Sequence, residues 1–393
     1  MRHAYIVSAA RTPIGGFSGS LATASAPELG AAALRAAVAR AGVPAEAIEQ
    51  VIMGNVLAAG LGQAPARQAG LAAGIPNAHG ALTINKVCGS GLMALMLAAQ
   101  SIRLGEAEIA AAGGMESMTR APYLLPRARQ GHRLGPGPLL DAMILDGLWD
   151  PYSDFHMGNA AERCARELAI TRDAQDAFAA TSYRRAQAAI AAGHFAAEIV
   201  PVTVAGRSGT PTIVDTDEEP ARVDFARIGA LRPSFEANGT ITAANASTLA
   251  DGAAALVVAS TTAIERHGLT PRARIVASTA AGRAPVEFPI APVDATRKVL
   301  GLAGLAVADI DLFEINEAFA VVALAAIAAL GLDPERVNVH GGAIALGHPI
   351  GASGARVVTT LLSALEQRGL RRGLATLCLG GGEAVAMVID RQI

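Results

Sequence analysis

Two cysteines and one histidine occupy glycine-flanked turns, where a side chain can stand clear of packing and do chemistry. Cys88 lies in VCGSG, between an apolar stretch and a helical pattern. That places its thiol at a helix N-terminus, where unpaired amides and the positive dipole end lower a thiol pKa and can hold an oxyanion. A nucleophile is one reading, and a small buried hydrophobe is the other. His348, in GHPIGASG, again precedes a helical pattern, with Pro349 restraining its backbone. A nucleophilic thiol needs a base within hydrogen-bond reach, and His348 serves if the fold brings it opposite Cys88. Cys378 precedes Gly380, Gly381 and Gly382. A second thiol there can pass protons to or from carbon while glycine amides meet a developing oxyanion, or it can simply pack a strand end. Asn316, in EINEAFA, either caps the apolar helix that follows or positions a water for an oxyanion. His156 and Met157 read as the pair that starts a helix, and Cys164, mid-helix in AERCAREL, reads as structural. The cysteines and histidines show no metal-ligand spacing, so no metal site is expected.

These turns need elements to hold them. AYIVSAA (4–10) and QVIMGNVL (50–57) read as strands, and residues 26–42 and 66–73 as helices. Strands alternating with helices point to parallel α/β sheets. A weak internal duplication also emerges. INKVCGSG (84–91) opens a helix through Arg103, followed by strand-like EIAAAGG (108–114); LGHPIGASGAR (346–356) opens a helix through Gln367, followed by ATLCLGG (375–381). Two such units packed face to face bring their glycine turns to one cleft, although any doubly wound fold shares this rhythm. Residues 119–250 break the pattern with stretches rich in Pro, Gly and Arg, and read as an inserted loop domain with helices such as Thr171 to Ala192. STLADGAAALVVAS (247–260) reads as a helix and then a strand. A seam near 265–272 divides an N-terminal half (1–268, with the insert at 119–250) from a C-terminal half (269–393).

Composition narrows the function class. A chain of 393 residues with 52% hydrophobic content and 42 glycines exceeds one small core and is not disordered. Its 17% charged residues fall below the usual quarter, which leaves surface for subunit contacts. A net charge of −2 provides no basic field for nucleic acid. The longest uncharged apolar run, Ala318 to Leu332, has 15 residues, short of the roughly 18 of a bilayer span, and reads as a buried helix. No membrane partner is expected, and MRHAYIVSAARTP lacks a secretory h-region, so a cytoplasmic protein is expected. Three widely spaced cysteines make no disulfide framework.

INKVCGSG, HMGNAAE, NEAFA, GGAIALGHPIGASGAR and CLGGGEA, in this order across nearly the whole chain, resemble the motifs of the thiolase family. Related condensing enzymes usually pair one cysteine with two histidines, whereas a second cysteine at Cys378 is similar to the thiolases. The resemblance implies an α/β, thiolase-like fold of two duplicated α/β halves, packed as a layered αβαβα core with an inserted loop domain. It implies acetyl-CoA C-acetyltransferase activity, with CoA thioesters as substrates and no cofactor. Cys88 would be acylated by an acyl-CoA while His348 accepts its proton, and Cys378 would exchange the α-proton of a second acetyl-CoA. The carbanion then attacks the acyl-Cys88 thioester, a Claisen condensation in one direction and thiolysis of acetoacetyl-CoA by CoA in the other. One oxyanion hole would use His348 and a water on Asn316, the other the backbone amides of Cys88 and Gly380. A broader-range degradative 3-ketoacyl-CoA thiolase, or a non-catalytic acyl-CoA- or lipid-binding protein on the same fold, are the alternatives.

Leu148, His156, Met157, Arg222, Phe235, Ala243, Ser247, Ala318 and Phe319 match family positions that line the CoA path. EFPIAPV (287–293) is similar to the mitochondrial-type, short-chain branch, in which the pair corresponding to Phe288 and Pro289 borders the acyl pocket and goes with acceptance of a 2-methyl branch. Pro220 stands where that branch has a tyrosine that helps bind potassium, so potassium activation is not expected. Ala250 replaces an asparagine common in that stretch, with no readable consequence. The family usually forms dimers or dimers of dimers, and a homotetramer is expected.

Overall fold

A computed structural model describes residues 2–205 and 210–392. Nine strands, β1 (Ala4–Arg11), β2 (Gln50–Gly54), β3 (Gly80–Ile84), β4 (Ile109–Ser117), β5 (Ala250–Ser260), β6 (Ala273–Gly282), β7 (Leu312–Ile315), β8 (Arg372–Leu379) and β9 (Glu383–Asp390), follow one path. Its order is β7-β8-β9-β6-β1-β5-β4-β2-β3. The path is two sheets joined at a narrow seam, because β1 meets β6 only through Tyr5 opposite Arg274 and Ile6 opposite Ala273. In the first sheet β1–β5 and β5–β4 are antiparallel, and β4–β2 and β2–β3 are parallel. The second repeats this order: β6–β9 and β9–β8 are antiparallel, β8–β7 is parallel, and Val337 bridges Phe313 in parallel where a fifth strand would lie. The duplication read from the sequence is thus a duplication of the backbone.

The sheets are mixed, which corrects the expectation of parallel ones. β8 turns directly into β9 through Gly380–Gly382, and so short a connection joins only antiparallel strands. Gly381 (φ 86°) and Gly382 (φ 84°) take the left-handed conformation that this turn needs. The 247–260 stretch is also corrected: it holds one strand, β5, and no helix. All eleven residues of β5 are buried. Both its faces are covered by helices, and small Ala, Gly and Val side chains let those helices close in, so burial overrides alanine's helix preference.

The described residues form ten α-helices: α1 (Ala26–Ala41), α2 (Pro65–Ala72), α3 (Ser90–Leu104), α4 (Met157–Glu167), α5 (Arg172–Ala191), α6 (Thr261–His267), α7 (Ala291–Ala303), α8 (Ala320–Leu330), α9 (Ala343–Leu346) and α10 (Ile350–Gln367). α3 and α10 pack on each other and touch both sheets, forming the middle layer of an α-β-α-β-α stack. Residues Ile350 to Leu365 of α10 are all buried. Glycines set this contact: a Cβ on Gly354 would lie 2.1 Å from Leu92 N, and one on Gly91 would lie 2.7 Å from Ala355 N. The 15-residue apolar run contains α8, packed against α5 and α7.

Between β4 and β5 run α4, α5 and short ribbons. Thr171 accepts a hydrogen bond from Ala174 N and caps α5, the helix read from the sequence over 171–192. Arg11, fully buried at the end of β1, ties this segment to the first sheet. Its guanidinium meets Glu198 at 2.6 Å and Asp217 at 2.7 and 2.8 Å.

Candidate active site

Cys88 sits in a tight turn ahead of α3. Val87 is left-handed (φ 47°), uncommon for a β-branched residue. Asn85 Oδ1 accepts from Val87 N (2.9 Å), and Ser90 Oγ accepts from Lys86 N (2.8 Å) while donating to Val87 O (2.6 Å). Three side-chain hydrogen bonds thus hold a strained backbone, as at many functional turns. Lys86 pairs with Glu383, which ties this turn to the β8–β9 turn. The glycines meet as the duplication implies: Gly114 leaves room for the Gly351 carbonyl, and Gly89 for the Leu379 side chain.

The result is a cavity of about 500 Å³ lined by Cys88, His348, Cys378 and Gly380 together. The backbone N–H groups of Gly380 and of Cys88 itself point at the Cys88 thiol. Cys378 is completely buried in an apolar cluster with Met157, Phe288, Ala318 and Phe319. His348, 7% exposed, places Nδ1 2.5 Å from Ser353 Oγ and Nε2 3.4 Å from Asn316 Nδ2. Asn316 is no helix cap: Phe319 holds the N-cap position of α8, which starts at Ala320. Its amide is free to reach His348 instead, and its buried Oδ1 has no donor among the described residues.

Electrostatics correct the expected low thiol pKa. Burial pushes the Cys88 thiol up to about 12, and the amide N–H groups oppose this only in part. Burial raises Cys378 well above the ordinary thiol range, with Cys88 adding to the effect. His348 is pushed down to about 3 by burial and by the nearby Arg356 charge. All three groups are neutral at rest, so proton transfer waits for a substrate to be attacked.

Of the expected binding residues, Leu148, His156, Met157, Phe235, Ala243, Ser247, Phe288, Ala318 and Phe319 line the cavity. His156 stacks on Phe235 (4.7 Å between centroids), and its Nδ1 accepts from Gly158 N (3.0 Å), so it also starts α4 as read from the sequence. Arg222 does not line the cavity; this exposed side chain is held by Glu218 and Glu219. Pro289 is buried outside the lining. Sequence reasoning overlooks Met118, Met143, Ile144, Gly147 and Ile350, apolar positions that carry no local mark of a site.

It also overlooks Glu116, completely buried at the end of β4. Its Oε1 accepts from Asn55 Nδ2 (2.8 Å) and Leu57 N (3.1 Å), and its Oε2 from Val56 N (3.0 Å) and Gly351 N (2.9 Å). Burial pushes its pKa up to about 7, but four donors occupy the lone pairs of both oxygens and favour the carboxylate. One carboxylate thereby docks the first turn of α10, and His348 ahead of it, onto the first sheet. Glu116→Gln turns an amide NH₂ toward two N–H donors. It is expected to cost about 2–4 kcal/mol in urea unfolding; a loss below about 0.5 kcal/mol would remove this docking role.

The chain belongs to the thiolase family: residues 4–262 match the thiolase N-terminal domain and residues 269–391 the thiolase C-terminal domain. The protein is therefore an acyltransferase. It is 53% identical over 393 residues to an acetyl-CoA acetyltransferase of Escherichia coli, with 100% of both chains covered. To acetyl-CoA acetyltransferase B, mitochondrial, of Xenopus laevis it is 51% identical over 387 residues, covering 98% of this chain and 91% of the other. Among solved structures, a thiolase from Ascaris suum in complex with coenzyme A matches with a TM-score of 0.93 and 44% identity, over 99% of this chain and 100% of that one.

Proposed function

We propose that this chain is an acetyl-CoA acetyltransferase, condensing two acetyl-CoA molecules and cleaving acetoacetyl-CoA with CoA. The observation that carries the reading is the meeting of Cys88, His348 and Cys378 in one cavity, with the Gly380 amide aimed at the Cys88 thiol. Cys88 attacks a thioester carbonyl as His348 takes its proton, and the Cys88 and Gly380 amides hold the oxyanion. Cys378, as the thiolate left when its own proton passes to His348 in the same cavity, then removes the α-proton of a second acetyl-CoA. The enolate oxygen is met by the His348 imidazolium so formed and by a water on Asn316 Oδ1, a buried acceptor with no donor among the described residues. A thioester α-proton is weakly acidic, so these donors need to be preorganised away from bulk water. Cysteine suits the relay because it attacks and leaves as the same thiolate, and the chemistry calls for no cofactor.

The test is loss of acetoacetyl-CoA enolate absorbance on adding CoA. Rapid loss supports the reading, and no loss, with turnover of longer 3-ketoacyl-CoA instead, overturns it in favour of a degradative thiolase. Phe288, 2% exposed and edge-on to Phe319 at 6.3 Å, bounds the acyl end of the cavity. Phe288→Ala is expected to raise kcat/KM for an eight-carbon 3-ketoacyl-CoA relative to acetoacetyl-CoA by about 10-fold or more. An unchanged ratio would mean that chain length is set elsewhere.

Pro220 is buried, and its carbonyl accepts from Gln187 Nε2 (2.8 Å), an arrangement without a phenol oxygen for an ion. Equal rates in sodium and potassium buffers are the result in keeping with this. The outermost strand β3, with Leu82 49% exposed, offers an edge to a second copy, and exposed Leu125, Leu134 and Leu139 offer another contact. Both features support a homotetramer, a dimer of dimers, which light scattering would measure as four times 39.8 kDa.

A further inference from the structure

Ser353 lies in the first turn of α10, five residues beyond His348, and is completely buried. Its hydroxyl has a single hydrogen and lies 2.9 Å from the Pro349 carbonyl, an acceptor for it. The same oxygen is 2.5 Å from His348 Nδ1. That hydrogen has two acceptors within reach; given to the Pro349 carbonyl, it leaves the hydroxyl as an acceptor, so that Nδ1 carries the ring proton. Nε2 is left with a lone pair, and the group facing it, Asn316 Nδ2 at 3.4 Å, is a donor. Both neighbours of the ring therefore fit the tautomer with its proton on Nδ1.

We infer that Ser353 is the positioning residue of the active-site base: its hydroxyl holds His348 as the Nδ1–H tautomer, so that Nε2 faces the cavity as an acceptor. A neutral imidazole in water favours the opposite tautomer, which here would turn an N–H toward the Asn316 amide and leave no lone pair for a thiol. The consequence, which rests on the acetyltransferase reading above, names the atoms of the first proton transfer. The Cys88 S–H bond breaks and an Nε2–H bond forms while the thiolate attacks the thioester carbon. When the tetrahedral intermediate collapses, the C–S bond to coenzyme A breaks, and the Nε2 proton passes to the departing sulfur. A second consequence concerns the enolate: because Nδ1 already holds a proton, Nε2 can donate to an oxyanion only while the ring is an imidazolium. The chain Nδ1–H to Ser353 Oγ–H to the Pro349 carbonyl points its dipoles so as to stabilise that transient charge. An uncharged acceptor sets the tautomer without the rise in ring pKa that a carboxylate in the place of Ser353 would bring.

The test has two arms. Neutron diffraction of deuterium-exchanged, substrate-free crystals should place a deuteron on His348 Nδ1 and none on Nε2. In Ser353→Ala the deuteron should move to Nε2, and kcat for acetoacetyl-CoA thiolysis should fall about 10- to 100-fold with KM within about twofold. Ser353→Thr, which keeps the hydroxyl, should keep the Nδ1 deuteron and recover most of the rate. A wild-type deuteron on Nε2, or Ser353→Ala with unchanged kcat, would overturn the inference. If Ser353→Ala does not fold, the wild-type deuteron decides alone. The deuteron is read without substrate, so its outcome stands apart from whether acetoacetyl-CoA is turned over.

Discussion

Cys88→Ala is expected to cleave acetoacetyl-CoA at least about 10⁴-fold more slowly than the wild type, the scale of losing a covalent nucleophile. No other group can take its place. Cys378 is completely buried in the apolar wall, and Cys164 is held within α4, so neither thiol has the paired amides that face Cys88. The loss should fall on kcat, because the residues lining the rest of the cavity are unchanged. Enolate absorbance gives the rate, and mass spectrometry after mixing with acetyl-CoA gives the adduct: one acetyl group on wild type and none on the variant. A variant within tenfold of wild type would assign the nucleophile elsewhere. Alkylation by iodoacetamide offers a companion readout. With the thiol pushed up to about 12, its rate should climb with pH through pH 9 without a plateau.

Cys378→Ala is expected to separate the two halves of the reaction. Condensation and thiolysis both move a proton at the α-carbon, and loss of that acid–base group should slow them by about 10²–10⁴-fold. Acetylation of Cys88 by acetyl-CoA requires only Cys88, His348 and the amides, so exchange of labelled CoA into acetyl-CoA should persist within about tenfold. The burial that raises the Cys378 pKa suits the thiolysis direction, because a thiol that stays protonated can hand its proton to a departing carbanion. The apolar wall of Met157, Phe288 and Phe319 also keeps bulk water from that carbanion. If exchange and thiolysis fall together, Cys378 is wall packing and the proton moves through another group.

The residues proposed to do chemistry are readable from the chain because each sits at an element end among glycines. The same strand–turn–helix phrase around Cys88 and His348 pairs them before any contact is known. Asn316 is the instructive exception. Its position ahead of an apolar run fits a cap, yet the helix begins at Ala320, and its amide reaches His348 instead. The local signal and the functional role share one residue type, and only the helix's starting point separates them. β5 shows the same limit at the level of elements: its alanines favour a helix in isolation, but covered sheet faces make it a strand.

By itself, then, the sequence determined which side chains can react, the repeat that pairs them, and the family to which both belong, since these rest on residue type and short spacing. The contacts between distant segments are what bring the two glycine turns together, let Glu116 clamp one half to the other, set Ser353 beside the His348 ring, and leave Arg222 held by its own neighbours rather than lining the cavity. They also decided the thiol pKa. A helix N-terminus lowers that value through nearby amides, but desolvation by atoms from distant segments raises it further, and desolvation depends on which segments the fold brings together.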